Sequence, residues 1–322
     1  MPRWKVSKVE WKLKTGFFKS ISVLKRFIGI SITPYIICGS GRSGTTWLAE
    51  MFSTGMDSPL INEPLQISDS KKLTRLGFGW NQPPPPEGES WQMGERIFTQ
   101  ILDLRLINLN KFSEKNFAEI KQFIFKNKAV LKFTRLNLLV KWVVNQFDIP
   151  KPVYIVRNPY AVVASQLNHP AWSGYKLNLN TNWFQNYFDE YQPQIDEANS
   201  KVKLLALEWS IQNKNLLDGR LNEKVHVIYF EDLMQNPRKC LEEIQNVWNI
   251  RLHETTYHNL NKPSGSTPGS DQFETDEDKQ HHLSKWKNVL TNEEINDISN
   301  ILKKNNYPAE QILKDNMFRI FG

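Results

Sequence analysis

The stretch "TPYIICGSGRSGTTWLAEM", residues 33–51, constrains the fold more than any other part of the chain. Tyr35-Ile36-Ile37-Cys38 is a short apolar run suited to a buried strand. Gly39, Gly41 and Gly44 then permit a tight turn, and the residues from Thr45 onward have the pattern of a helix. A strand, a glycine-rich turn and a helix make an anion site from the backbone alone. Successive N–H groups point inward, and the helix N-terminus adds partial positive charge. Taken alone, the segment reads equally as an ordinary strand-to-helix turn with incidental glycines. A nucleoside-triphosphate loop would carry a lysine where this one has Thr45, and the cation of this loop is Arg42.

Three further apolar runs, Val130 to Phe133, Val153 to Val156 and Val225 to Phe230, read as buried strands. Amphipathic stretches lie between or beside them, over residues 138–147, 183–195 and 202–217. Strands alternating with helical patterns predict an α/β fold, a three-layer sandwich with a central, mainly parallel sheet flanked by helices. Residues 77–90, with Pro83 to Pro86 and several glycines, read as a stiff loop. Residues 261–282 are small, polar and turn-rich, and are expected to form a mobile loop of the kind that serves as a lid. Helix resumes after it, with Thr291 and Glu294 at the spacing of a capping box.

Charge separates the N-terminus from the rest. Residues 1–34 carry eight Lys or Arg against one acid, Glu10, so the formal net charge of +7 sits in this arm and the remainder is neutral. A nucleic-acid-binding fold would carry its basic patch on the folded body, so no nucleic acid is expected as a partner. Phe17, Ile21, Leu24 and Ile28 lie near helical spacing among lysines. A helix packed on the domain, a helix on an anionic membrane surface and a disordered tail are three readings of this arm. It has no run of ~20 apolar residues to cross a bilayer and no signal-peptide core. The expected division is a basic arm over 1–32 and one domain over 33–322. Two cysteines, Cys38 and Cys240, build no disulfide framework and suit a reducing, cytoplasmic setting.

The strand "PVYIVRNPYAVVAS" ends in Arg157, where a nucleotide enzyme would place an acid for magnesium, so no metal is expected. Arg157 can bind a phosphate bidentately, and Pro159 suits the first turn of a helix. Ser165 follows Arg157 by eight residues, just over two helical turns, a spacing that can bring it to the same ligand; taken alone, the segment reads more simply as an Arg paired with a neighbouring carboxylate and a Ser facing solvent. Together, "GRSGTTWL" (41–48) and "YIVRNPYAVVAS" (154–165) resemble the sulfotransferases that use 3′-phosphoadenosine-5′-phosphosulfate. The first matches that family's loop for the 5′-phosphosulfate, and the second its 3′-phosphate segment. "YFEDL" (229–233) and "SKWKNVLT" (284–291) resemble two weaker landmarks, and the similarity spans roughly residues 33–300.

The resemblance implies roles residue by residue. Arg42 stands where cytosolic members carry a catalytic lysine and carbohydrate and protein-tyrosine members commonly carry arginine. It would neutralise charge on the bridging oxygen as the sulfate leaves. Ser43, Gly44, Thr45 and Thr46 would donate to the 5′-phosphate, Trp47 would lie near the adenine, and Arg157 and Ser165 would hold the 3′-phosphate. The stretch "VLKFTRLNLL" (130–139) lacks the histidine base of phenol- and steroid-sulfating members, whereas "INEPLQI" (61–67) resembles the Glu-Pro-Leu segment of carbohydrate members. Glu63 is the implied base. The family's basic C-terminal clamp is poorly matched, with Lys279 and Lys285 as candidates, and the His281-His282 pair reads as solvated. Phe230 takes the place of a family tyrosine and keeps only a stacking role.

The expected function is therefore sulfuryl transfer to an acceptor hydroxyl, with a glycan as partner. Trp80, Trp91 and Trp172 lie in or beside the expected acceptor loops and would suit a sugar ring, a lipid or a phenol equally. A degenerate P-loop kinase using ATP is the second enzyme reading. A non-catalytic binding module attached to a membrane through residues 1–30 is the third.

Overall fold

A computed structural model describes residue 20 and residues 31–66, 70–106, 125–179, 181–217, 219, 221–260, 275–317 and 319. Most of the basic arm, and residues 261–274 of the expected loop, lie outside the described residues.

Five strands form one sheet: β1 (Thr33–Cys38), β2 (Leu60–Asn62), β3 (Lys128–Phe133), β4 (Val153–Val156) and β5 (His226–Tyr229). Their order is β2-β3-β1-β4-β5 and every pairing is parallel. Both faces are covered, chiefly by helices α1 (Thr45–Gly55), α2 (Gln92–Leu102), α3 (Pro159–Leu167), α4 (Lys201–Asn213), α5 (Pro237–Trp248), α6 (Asp276–Ser284) and α7 (Asn292–Lys304). That cover is why the strands read as continuous apolar runs.

The alternation along β1 assigns the layers. Tyr35 and Ile37 join Val130, Val153, Ile155 and Ile228 on one face, packed by Leu48 and Phe52 of α1 and by Leu241, Ile244 and Trp248 of α5. Ile36 and Cys38 join Leu131, Phe133, Tyr154 and Val156 on the other, packed from α2, α3, α4 and α7. Trp248 closes the first face, with its ring centroid 5.0 Å from Tyr35 and 4.8 Å from Phe52. Its indole N–H donates to the Lys151 carbonyl at 2.8 Å, so this large ring is buried without an orphan donor. Cys38 and Cys240 are both free and buried.

The chain leaves β1 toward β2 and β3 on one side, and later passes to β4 and β5 on the other. The carboxyl ends of β1 and its neighbours thus flank the switch in direction, which is where open α/β sheets form their clefts.

Three expectations need correction. The strand expected at Val225 to Phe230 is His226–Tyr229, and Phe230 instead opens the short helix Phe230–Gln235. The helix expected over 183–195 is a 3-10 turn, Gln185–Tyr191, followed by a short α-helix, Gln192–Glu197. Pro193 sits in the first turn of that second piece and Phe184 has a φ of 53°, so neither residue fits the middle of one continuous helix. Residues 276–282, expected in the mobile loop, belong to α6. The Thr275 hydroxyl accepts from the Asp278 N–H at 3.1 Å and the Asp278 carboxylate accepts from the Thr275 N–H at 2.9 Å, a capping box that starts the helix early. The edge strand β2 has no counterpart among the expected elements, since three residues are too few to show a period.

Candidate active site

A cavity of about 820 Å³ opens at the carboxyl ends of the strands, and all five contribute to it. Arg42 follows β1, Glu63 follows β2, Lys132 and Thr134 end β3, and Arg157 follows β4. Phe230 follows β5 and completes the floor.

The loop after β1 is tight because its glycines leave no room. A Cβ on Gly39 would lie 2.3 Å from the Ile155 carbonyl oxygen, and one on Gly44 would lie 2.6 Å from the Phe230 ring. Gly44, at φ 86°, is the N-cap of α1 and supplies no side-chain cap, so the first N–H groups of the helix face the cavity unsatisfied by a side chain. Gly44, Thr45, Thr46 and Trp47 line this end. The Ser43 hydroxyl is buried without a hydrogen-bond partner among the described residues.

Arg42 and Arg157 meet here. Arg157 donates to the Arg42 carbonyl at 2.9 Å, and Arg42 Nε donates to Ser165 Oγ at 3.1 Å. Among the described residues the terminal nitrogens of Arg42 carry no hydrogen bond, and neither does Arg157 Nε, which is buried. Two cations and a hydroxyl thus converge with unfilled donors. The guanidinium of Arg157 lies 4.4 Å from the Phe230 ring centroid, a stacking contact that phenylalanine supplies as well as tyrosine would.

The turn "RNP" fixes Arg157. Asn158 Oδ1 caps α3 by accepting from the Tyr160 and Ala161 N–H groups, Pro159 fills the first helical position, and the Asn158 N–H donates to Glu231 Oε1 at 3.0 Å. Burial pushes the Arg157 pKa down to about 10, opposed by Glu231 and assisted by Arg42, so it remains a cation at neutral pH. Burial likewise lowers Arg42. Burial raises Glu231 to about 7, against the hydrogen bonds from the Asn158 and its own N–H and the charge of Arg157.

Glu63 stands across the cavity, only 4% exposed. The buried Lys132 donates to its Oε1 at 2.6 Å, the Thr134 hydroxyl to the same oxygen at 2.7 Å, and the Thr134 N–H to Oε2 at 3.0 Å. Burial alone would raise its pKa. The charges of Lys132 and then Arg135, with these hydrogen bonds, outweigh burial and hold it below the ordinary carboxylate value. Both Arg42 (φ 74°) and Glu63 (φ 52°) adopt left-handed backbone that costs a side-chain-bearing residue of order 1–3 kcal/mol. Such strain concentrates where a side chain must be aimed.

All the residues singled out in the sequence for this site, Arg42, Glu63, Gly44, Thr45, Thr46, Trp47, Arg157 and Ser165, line the cavity, with Ser43 buried beneath it. Trp80 and Trp172 line it too, but Trp91 does not. Trp91 is buried against Phe78, Trp142, Trp183 and Phe184, at centroid distances of 5.2 to 6.0 Å, and is a core residue. His282 also departs from expectation. It lines the cavity beside Phe230, and burial, then Arg157 and Lys285, drive its pKa to about 4. Lys279 and Lys285 line the same end. Lys132, Arg135, Asn81, Tyr175 and Glu208 went unrecognised in the sequence. The signal for Lys132 was present, a cation inside an apolar strand, which needs a buried partner. Among the described residues, no group of three His, Cys, Asp or Glu side chains is placed to hold a metal ion.

Comparison with known proteins agrees with this picture. The family model described as "Sulfotransferase domain" matches residues 32–311. Comparison with curated proteins returns no significant match. Solved structures similar to this chain include the sulfotransferase domain from the Synechococcus PCC 7002 olefin synthase, at 14% identity and a TM-score of 0.44, covering 86% of this chain and 96% of that one. Mouse sulfotransferase SULT7A1 complexed with PAP is similar at 14% identity and a TM-score of 0.41, over 94% of this chain and 92% of that one. Sulfotransferase STF9 from Mycobacterium avium is similar at 12% and 0.41, over 87% and 82%. These superpositions are loose, so the assignment rests on the family model, which spans most of the chain from β1 into the helices after the cavity. On that ground the chain belongs to the sulfotransferase domain family.

Proposed function

We propose that this sulfotransferase moves a sulfuryl group from 3′-phosphoadenosine-5′-phosphosulfate to an acceptor hydroxyl, on a glycan, in the cytoplasm. The convergence of Arg42, Arg157, Ser165 and Glu63 on one cavity carries the reading. Two unfilled guanidinium edges, an orphan serine hydroxyl and an open helix N-terminus suit a ligand with two separate phosphates.

In this assignment the helix N-terminus with Ser43, Gly44, Thr45 and Thr46 holds the 5′-phosphate. Arg157 and Ser165 hold the 3′-phosphate, and Trp47 lies against the base. Arg42 places positive charge on the bridging oxygen as the bond from phosphate to sulfur breaks, an interaction strongest in the transition state. The acceptor oxygen bonds to sulfur, its proton passes to Glu63, and 3′-phosphoadenosine-5′-phosphate leaves. Lys132 and Thr134 keep Glu63 ionised and therefore ready to accept that proton.

The test is transfer of labelled sulfate by the purified full chain with Arg42→Ala and Glu63→Ala. Loss of one oxyanion-stabilising donor costs roughly 10²–10³ in rate, so both variants should lose transfer on that scale or beyond. Glu63→Ala should keep its affinity for 3′-phosphoadenosine-5′-phosphate. If either variant retains full activity, the roles assigned here are wrong.

A further inference from the structure

The acceptor end of the cavity carries a second, half-buried carboxylate, Glu208, which plays no part in the transfer step. It projects from α4 on the side where Trp80, Asn81 and Arg135 also line the cavity. Asn81 Nδ2 donates to Glu208 Oε1 at 2.9 Å and to the Asn178 carbonyl at 3.2 Å. Gln212, one turn beyond Glu208, donates to Asn81 Oδ1 at 2.9 Å. Asn81 is thereby saturated and rigid, and the proline-rich loop that carries it is pinned in turn. Gln82 accepts from the Thr181 hydroxyl at 2.8 Å and from the Gly79 N–H at 3.2 Å.

Glu208 itself is not saturated. Among the described residues it makes no ion pair, and it accepts one well-formed hydrogen bond, from Asn81. The buried Tyr175 hydroxyl lies close enough to interact with it without completing a bond of good geometry. A carboxylate has about four acceptor positions, and one withdrawn from water needs donors. In the same cavity, the Arg135 guanidinium lies 3.9 Å from the Trp80 ring centroid and is hydrogen-bonded to Gln66. Arg135 acts electrostatically on both Glu63 and Glu208, and all three line the same cavity.

We propose that Glu208, positioned by Asn81 and faced by Arg135, is the specificity-determining residue of the acceptor subsite and selects acceptors with vicinal hydroxyls, a sugar ring or similar polyol. The proposal rests on the sulfotransferase reading above and names the chemistry of its acceptor end. Adjacent ring hydroxyls can donate to one carboxylate together while accepting from a guanidinium fork. A neighbouring hydroxyl on the same ring would then be presented to Glu63. A phenol or simple alcohol has one hydroxyl, which Glu63 requires, so it would leave Glu208 unsatisfied at about 1–3 kcal/mol, roughly 10- to 100-fold in kcat/KM. Arg42, Lys132 and Arg135 line the same cavity and disfavour a cationic acceptor.

The experiment uses the full chain, saturating labelled donor and a panel of methyl hexosides set against p-nitrophenol, cyclohexanol and cyclohexylamine. At least one hexoside should exceed all three controls by about tenfold in kcat/KM. Glu208→Gln should raise the KM for that hexoside by about tenfold while kcat changes little and affinity for 3′-phosphoadenosine-5′-phosphate is unchanged. Asn81→Ala should shift KM in the same direction and carries the test if Glu208→Gln does not fold. Preference for any control, an unaltered KM in the variants, or no hexoside turnover by protein that binds the product nucleotide overturns the proposal. Failure to bind the product nucleotide would instead bring down the donor reading, and this proposal with it.

Discussion

At the residue scale the site is a set of buried charges held in readiness. Glu63 and Lys132, 4% and 6% exposed, form a pair that is expensive to break, because removing one partner strands the other. Lys132→Met should therefore destabilise the fold by about 3–5 kcal/mol in a denaturant titration. Glu63→Gln, which keeps the hydrogen-bonding shape, should cost less. Since Lys132 and Arg135 hold Glu63 below the ordinary carboxylate value, its basic form persists at mildly acid pH. Transfer rates should stay flat on the acid side of neutrality and fall only below the usual carboxylate range. A rate that already halves near pH 6 through a group absent in Glu63→Gln would contradict this. Glu231 behaves in the opposite sense. Its folded pKa of about 7 lies above the unfolded value, so its contribution to stability is complete below pH 4.5 and is lost as pH rises through 7. The melting temperature of Glu231→Gln relative to the parent should accordingly climb between pH 5.5 and 8, and a constant difference would contradict the assignment. Of these residues Arg42, Glu63, Arg157 and Ser165 were legible in the sequence, because each sits at a fixed offset from a glycine turn, a Glu-Pro or a strand end. Asn81 and Glu208 were not legible, and for Lys132 the sequence signalled a buried cation but not its partner, because the partners lie 69 to 127 residues away along the chain and only the folded sheet brings them together.

At the element scale the strands of the sheet were readable wherever burial on both faces made a continuous apolar run, as in Thr33–Cys38 and Val153–Val156. Leu60–Asn62 was not, although it aims Glu63, because three residues on a sheet edge leave no pattern. Helix starts were readable where the capping chemistry was noticed. Thr291 and Glu294 form the reciprocal pair expected of them, whereas the equivalent pair at Thr275 and Asp278 was hidden by the polar stretch before it. The turn from β1 into α1 has the least tolerance. Gly44→Ala must place a methyl 2.6 Å from the Phe230 ring at a φ of 86°, on the floor beneath Arg157. Its expected result is a loss of product-nucleotide affinity by tenfold or more, about 1.4 kcal/mol. Calorimetry showing unchanged affinity in a folded Gly44→Ala protein would mean that this turn does not shape the donor end.

At the scale of the whole molecule, one sheet edge gathers residues from five strand ends into a cavity large enough for a nucleotide and an acceptor together. No helix among the described residues is long and apolar enough to cross a membrane. We propose that the charge of residues 1–34 attaches the chain to an anionic surface, at about 1 kcal/mol per basic residue near it. In liposome flotation, the full chain should float with phosphatidylserine vesicles and a chain lacking residues 1–30 should not; equal behaviour removes the attachment. The proposed donor site holds a nucleotide by two separate phosphates, with Arg157 reading the second. It is tested most directly by calorimetric titration of the full chain with 3′-phosphoadenosine-5′-phosphate, adenosine 5′-phosphate and ATP with magnesium. The bisphosphate should bind at least ~100-fold more tightly than either, as loss of a charge-assisted contact of about 3 kcal/mol requires, and Arg157→Ala should abolish the difference. Equal or tighter binding of ATP would contradict it.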